Sequence, residues 1–326
     1  MIFKEELLND LKIVDYGYTE ENLALSFDKF SKWVDEKKHR PLNYLADHRK
    51  EIRKDIKYFY PEFKSALIFL FDYSEEKKYL DEFYKSEKSN GLKISSYVFG
   101  FGGGDYHIEI RKRLDKIVNM LRVSQPKINV KLSLDVHPIL ERDLAHRSGL
   151  GWFGKNSMLI NKKEGSFVMI AALLLDRVLD ISKKELELDH CGTCRECITA
   201  CPTDALEEST RTMIVEKCIS TWTIELFKNA PLLEGHPNRS SGEIFGCDIC
   251  QDVCPWNIKK LAKTLPRLDE TDTSKLLIRE FLTDDVNHIY SRLLEFSNTK
   301  YRKYYAHTPL ERTGRVAMLK NLNVYI

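Results

Sequence analysis

The chain has 326 residues, enough for one large domain or two smaller ones. Hydrophobic residues make up 43% and aromatics 11%, which excludes a disordered chain. A net charge of only +2 creates no whole-molecule field for nucleic acid, so any polyanion site must come from local clustering.

Residues 1–60 read as mostly helical and rich in mixed charge. The opening MIFKEELLNDLKI lacks the apolar stretch of a signal peptide. The longest apolar run, Phe167 to Leu175, is too short to span a bilayer. A cytoplasmic protein with no membrane partner is therefore expected. Ser65 to Tyr73 (SALIFLFDY) predicts a buried strand, and Ser74 to Asn90 a surface helix and loop. Asp105 can cap a helix running to about Val123, with Ile110, Leu114, Ile117, Val118 and Leu121 on one face. Its other face carries Arg111, Lys112, Arg113 and Lys116 and reads as solvated. Asn129 to Val136 alternates like a strand and delivers Asp135 to a strand end. Ser157–Asn161 and Phe167–Asp176 predict a hairpin around the turn Lys162–Gly165. Strands and helices alternate irregularly, so the fold class is α+β rather than a doubly wound parallel sheet. After Cys254 the chain reads as helical and basic.

All eight cysteines lie between Cys191 and Cys254, a density that argues for metal rather than disulfides. The first run, Cys191-x-x-Cys194-x-x-Cys197-x-x-x-Cys201-Pro202, has the bacterial ferredoxin spacing, whose fourth cysteine serves the other cluster. The second, Cys247-x-x-Cys250-x-x-x-Cys254-Pro255, lacks one cysteine, and Cys218 is the obvious replacement. Reciprocal ligation then gives one 4Fe-4S cluster Cys191, Cys194, Cys197 and Cys254, and the other Cys201, Cys218, Cys247 and Cys250. Structural zinc also uses paired C-x-x-C units, but it needs no fourth cysteine followed by proline, twice.

A bare ferredoxin needs far fewer residues, so the preceding 190 must hold an electron acceptor. Two segments there stand out. In Asp135-x-x-Pro138-x-x-Glu141-Arg142 followed by Gly149-Leu150-Gly151-Trp152-Phe153-Gly154-Lys155-Asn156, the glycines would allow close backbone approach to a ligand. In Gly100-Phe101-Gly102-Gly103-Gly104-Asp105-Tyr106-His107, a loop before a helix could seat a phosphate. Neither matches a Walker loop or a dinucleotide fingerprint.

Together these motifs, with Pro202-Thr203 and Gly246-Cys247-Asp248, resemble the epoxyqueuosine reductase family from about Arg40 to Asn321. The resemblance implies a cobalamin enzyme that reduces the epoxide of epoxyqueuosine, at the wobble position of a tRNA, to the alkene of queuosine. It implies an N-terminal α/β cobalamin-binding catalytic domain (1–180), a ferredoxin-like domain with two 4Fe-4S clusters (181–260) and a short helical basic C-terminal segment (261–326). It makes Asp135 the proton donor, expected to be buried with a raised pKa. Arg53, Tyr97, Asn156 and Ser157, with Asp135, become the cobalamin contacts, and Asp105-Tyr106-His107 the tripeptide that opens a helix. Longer members continue into helical repeats after the position of Asn321.

The partners implied are a tRNA bearing epoxyqueuosine in its anticodon and an external electron donor, with the protein a monomer. Lys300, Arg302, Lys303, Arg312, Arg315 and Lys320, interleaved with Tyr301, Tyr304 and Tyr305, offer a surface for phosphates and bases. Two other readings share the motifs: a cobalamin-dependent reductive dehalogenase-like enzyme, which usually carries an export leader, and a non-catalytic ferredoxin-type electron-transfer protein.

Overall fold

The structure, a computed structural model, describes residues 3–226 and 241–326. The chain forms two compact units. The first comprises 1–72, 109–195 and 206–213, the second 73–108, 196–205 and 214–326. They interleave along the chain, unlike the consecutive segments 1–180, 181–260 and 261–326 expected from sequence.

The first unit is built on a four-stranded sheet of β1 (Ile13–Thr19), β2 (Ser65–Asp72), β3 (Val130–Ser133) and β4 (Val168–Leu175), in the order β1-β2-β4-β3. Every pairing is antiparallel. β2 is central and buried from Ser65 to Phe71, which is why it reads as a continuous apolar run rather than an alternating one. Ala66, Ile68 and Leu70 join Ala172 and Leu174 of β4 in a core closed by Leu144, Ala145 and Leu150. Phe69 meets Phe3 and Tyr16 at ring distances of 5.9 and 6.3 Å.

The expected helix is present as α1 (Tyr106–Ser124), with Asp105 Oδ1 accepting from His107 N at 2.9 Å. Its residues Ile110, Leu114, Ile117 and Leu121 are buried, while Arg111, Lys112 and Lys116 are exposed. Three expectations need correction. Residues 1–60 contain β1 as well as helices: Val14, Tyr16 and Tyr18 alternate with polar or small residues, and the run is flanked by charge. The hairpin around Lys162–Gly165 does not form between the expected strands. Leu159–Ile160 pairs with Trp152–Phe153, and β4 pairs with β2 and β3 instead. The helix Ser74–Phe83 is half-covered, with Ser74, Glu76, Lys77 and Leu80 buried.

The second unit is mainly helical. Its core gathers Leu80, Val98 and Phe99 with Leu277, Phe281, Leu293, Tyr301, Leu310 and Met318. A short parallel pair, Lys93–Ile94 with Glu243–Phe245, sits at this core. Asn321 Nδ2 donates to Thr223 O and Ile244 O, both at 2.9 Å, tying the end of the chain to the cysteine-bearing segment. Here the glycine loop before Asp105 is buried, and its glycines serve packing. A Cβ on Gly102 would lie 2.7 Å from the Thr271 side chain and one on Gly103 3.0 Å from Ser274 N. The loop is filled by its own fold and does not form the open phosphate seat the sequence suggested.

Candidate active site and cluster ligands

Asp135 lies two residues beyond β3, in the loop before α2 (Glu141–Arg147). It is exposed, and its φ of 61° is left-handed. That conformation disfavours most L-residues by roughly 1 kcal/mol, though aspartate tolerates it best after glycine and asparagine. Glu141, in the first turn of α2, spans the loop. Its Oε1 and Oε2 each accept from Asp135 N at 2.9 Å, and Oε1 accepts from Ser133 Oγ at 2.6 Å. Ile139, in the same loop, is anchored in the core. The raised pKa expected of Asp135 falls instead on the half-buried Glu141. Burial, aided by the charge of Asp135, pushes the Glu141 carboxyl up to about 7 against the pull of its hydrogen bonds and of Arg142. Arg142 is exposed and donates through Nη1 to Ser157 O.

The glycine segment also differs from expectation. A Cβ on Gly149 would meet Glu185 O at 2.5 Å, and one on Gly151 would meet Ile160 O at 2.2 Å. The glycines allow the chain to approach itself rather than a ligand. What the segment presents is polar and tied to the cysteine run. Trp152 Nε1 donates to Cys191 Sγ at 3.4 Å. Lys155 Nζ donates to Cys194 O at 2.9 Å and pairs with Glu208 at 3.0 Å. Asn156 and Ser157 are both buried, Ser157 with φ 65° and its Oγ donating to Arg211 O at 3.0 Å. Arg211 in turn pairs with Asp189, whose Oδ1 accepts from Cys191 N at 2.9 Å. This ion pair holds the Asp189 carboxyl down at about 2. Hydrogen bonds to a ligating sulfur are one lever that sets a cluster's potential.

The remaining six cysteines belong to the second unit. All eight are free thiols. Cys250 is pushed well above the ordinary thiol range by burial and then by Cys247, Cys218, Cys201 and Cys197. Cys218 and Cys247 are raised for the same first reason. Four sulfurs around a fifth, with Cys218, Cys247 and Cys250 reluctant to ionise without a counter-charge, fit an iron–sulfur centre that supplies it. Among the described residues no three His, Cys, Asp or Glu side chains close on a single ion. In a cubane each thiolate binds its own iron, so a shared point is not required. Cys254 is buried and stands just before Pro255, which opens the helix Pro255–Leu261.

Arg53 is buried at 9% exposure, and its guanidinium, lowered by burial and by Arg49, rests over Phe30 at 5.7 Å. Among the described residues it makes one hydrogen bond, Nη1 to Arg49 O at 2.9 Å. A guanidinium has five donors, so this buried cation has capacity for a polar ligand such as the amide-fringed edge of a corrin. Arg53, Asp135, Asn156 and Ser157 share the first unit, whereas Tyr97 is in the second, its ring 5.7 Å from Tyr106 and 6.3 Å from Phe245. In the basic C-terminal stretch Tyr301 and Tyr305 are fully buried, which corrects their expected role as base platforms. Arg312 pairs with Asp105 at 3.5 Å, and Lys320 donates to Trp222 O at 2.8 Å. Arg315 donates to Asn298 Oδ1 at 3.2 Å. Lys300, Arg302, Lys303 and Tyr304 are exposed.

Sequence reasoning missed Glu141, Trp152 and Lys155. All three stand inside the motifs it singled out, but only packing shows which atoms they engage.

Two family patterns match the chain: the epoxyqueuosine reductase QueG family (DUF1730) over residues 53–136 and the 4Fe-4S double cluster binding domain over 190–257. The chain is 35% identical to an epoxyqueuosine reductase of Cyclobacterium marinum over 265 residues, 81% of each chain. With the Escherichia coli epoxyqueuosine reductase it shares 30% identity over 315 residues, 97% of this chain and 77% of that one. The fold matches the epoxyqueuosine reductase from Streptococcus thermophilus with a TM-score of 0.77 at 21% identity, covering 98% of this chain and 79% of that one. It also matches an epoxyqueuosine reductase solved with an epoxyqueuosine-modified tRNA stem loop, with a TM-score of 0.75 at 23% identity, covering 98% and 80%. On the strength of the sequence identities, the chain belongs to the epoxyqueuosine reductase family.

Proposed function

We propose that the protein reduces the epoxide of epoxyqueuosine in a tRNA anticodon to the alkene of queuosine, using cobalamin and two 4Fe-4S clusters fed by an external electron donor. The observation that carries this reading is the gathering of Cys197, Cys201, Cys218 and Cys247 about Cys250 in a chain that also exposes Asp135. Removing the epoxide oxygen as water takes two electrons and two protons. When bound, the cobalamin would supply a cobalt centre able to reduce an epoxide carbon, and the clusters the single electrons that restore it. Cys191, Cys194, Cys197 and Cys254 would hold one cluster, and Cys201, Cys218, Cys247 and Cys250 the other. Arg53, Asn156, Ser157 and Tyr97 would hold the corrin.

The chain's own chemistry then centres on Asp135. The leaving alkoxide is strongly basic, so an acid held at the loop tip would give it a proton as the carbon–oxygen bond breaks. Lys300, Arg302 and Lys303 offer charge for the RNA backbone. Among the described residues no helix is long and apolar enough to cross a membrane.

The test is turnover by anaerobically reconstituted protein of a stem loop bearing epoxyqueuosine, with loss of one oxygen read by mass spectrometry. Iron without any corrinoid affinity would leave a ferredoxin-type electron carrier. Zinc in place of iron would end the reading.

A further inference from the structure

The left-handed turn at Asp135 is bonded by a side chain of the following helix. Glu141 is six residues away, on the first turn of a helix whose Leu144 and Ala145 are locked into the core of the sheet. Its carboxylate is braced by the hydroxyl of Ser133, the last residue of β3, and grips the Asp135 N–H with both oxygens at 2.9 Å. The loop thus has two rigid banks, strand and helix, and one carboxylate joining them at the residue proposed to deliver the proton. Short-range bonds, Val136 N to Leu134 O and Ile139 N to His137 O, both 2.8 Å, bend the loop. Beyond Asp135, Ile139 is anchored in the core and the His137 ring lies 4.7 Å from that of Phe59.

We propose that Glu141 is the positioning residue for Asp135, a carboxylate clamp that holds the acid's backbone in its exposed left-handed turn. The proposal rests on the reading of Asp135 as the acid. The charged groups acting on Glu141 are Asp135, in the loop, and Arg142, beside it on α2. The sheet behind α2 contributes the apolar Ile68, Leu70, Ala172 and Leu174 to the shared core. The carboxyl changes charge near pH 7. An ionised carboxylate accepts a hydrogen bond more strongly than a neutral acid, so the clamp tightens as pH rises through that value.

The experiment compares three variants of the full, reconstituted chain by kinetics and by amide hydrogen exchange. Glu141→Ala should raise exchange at residues 134–137 and lower kcat about 10- to 100-fold while KM stays within about twofold. Glu141→Gln keeps one acceptor oxygen and does not titrate. It should restore most of the protection and of kcat, and flatten the pH profile around pH 7. Asp135→Asn should lose kcat with exchange unchanged. If Glu141→Ala fails to fold, Ser133→Ala removes the brace instead and should show the same pattern to a smaller degree. Unchanged exchange in Glu141→Ala, or raised exchange with full kcat, overturns the clamp. A fully active Asp135→Asn would end the acid reading and the clamp's catalytic importance together, and the exchange data would separate that result from a failure of the clamp itself.

Discussion

The cysteine runs and the Asp135 loop solve opposite problems. In the runs, chemistry fixes structure: eight thiols stand at ferredoxin spacing, and burial holds Cys218, Cys247 and Cys250 protonated unless a metal centre offsets their charge. In the loop, structure fixes chemistry. Strand β3, helix α2 and the Glu141 bridge hold Asp135, the proposed acid, at φ 61°. The first region depends on its ligands being present, the second on hydrogen bonds joining strand, loop and helix.

Breaking the first region should have the largest effect. Cys218→Ser removes the cysteine that lies outside both compact runs, and we expect iron to fall by about four atoms per chain, with turnover lost. Iron analysis and cluster spectra check this, and an unchanged iron count would take Cys218 out of the ligand set. Next, Asp135→Asn should slow kcat by about 100-fold or more with cofactor absorbance intact, as read by single-turnover kinetics. Deleting core volume compares the two units directly. Leu70→Ala in β2 and Phe281→Ala in the second unit should each destabilise the fold by roughly 2–5 kcal/mol in denaturant titration. Removing Lys300, Arg302 or Lys303 singly should weaken tRNA binding a few-fold and lower the salt slope by about one per residue, measured by binding across ionic strength.

The smallest effect sharpens the loop side of the comparison. Glu141 has a folded-state pKa raised to about 7 from 4.5, so the folded state holds its proton more tightly than the unfolded chain. The cost of ionising it is absent below about pH 4.5, grows with rising pH and is complete above about pH 7. Wild-type Tm should therefore decline over that window relative to Glu141→Gln, and parallel curves would mean that Glu141 does not titrate there.

Legibility followed the same division. β2 and α1 were plain because their patterns are local: seven successive buried residues in one, a three-and-four spacing in the other. β1 was hidden by the polar and small residues within it, Asp15 and Gly17, and by its charged flanks, and the pairing of Leu159–Ile160 with Trp152–Phe153 could not be read from a turn signal that only says the chain reverses. The basic C-terminal tail was legible as charge but not as surface: Tyr301 and Tyr305 went to the core, and Arg312 and Lys320 to structural bonds.

Sequence by itself determined the double 4Fe-4S chemistry, because metal-ligand spacing is set along one chain and survives without a fold. It also determined the family, through motifs spread over most of the length. Tertiary structure alone decided which carboxyl is buried and which is presented, and which glycines face the chain rather than a ligand. It also brought residues 73–108 into one core with the C-terminal helices. Burial, backbone handedness and long-range hydrogen bonds come from segments that meet only after folding.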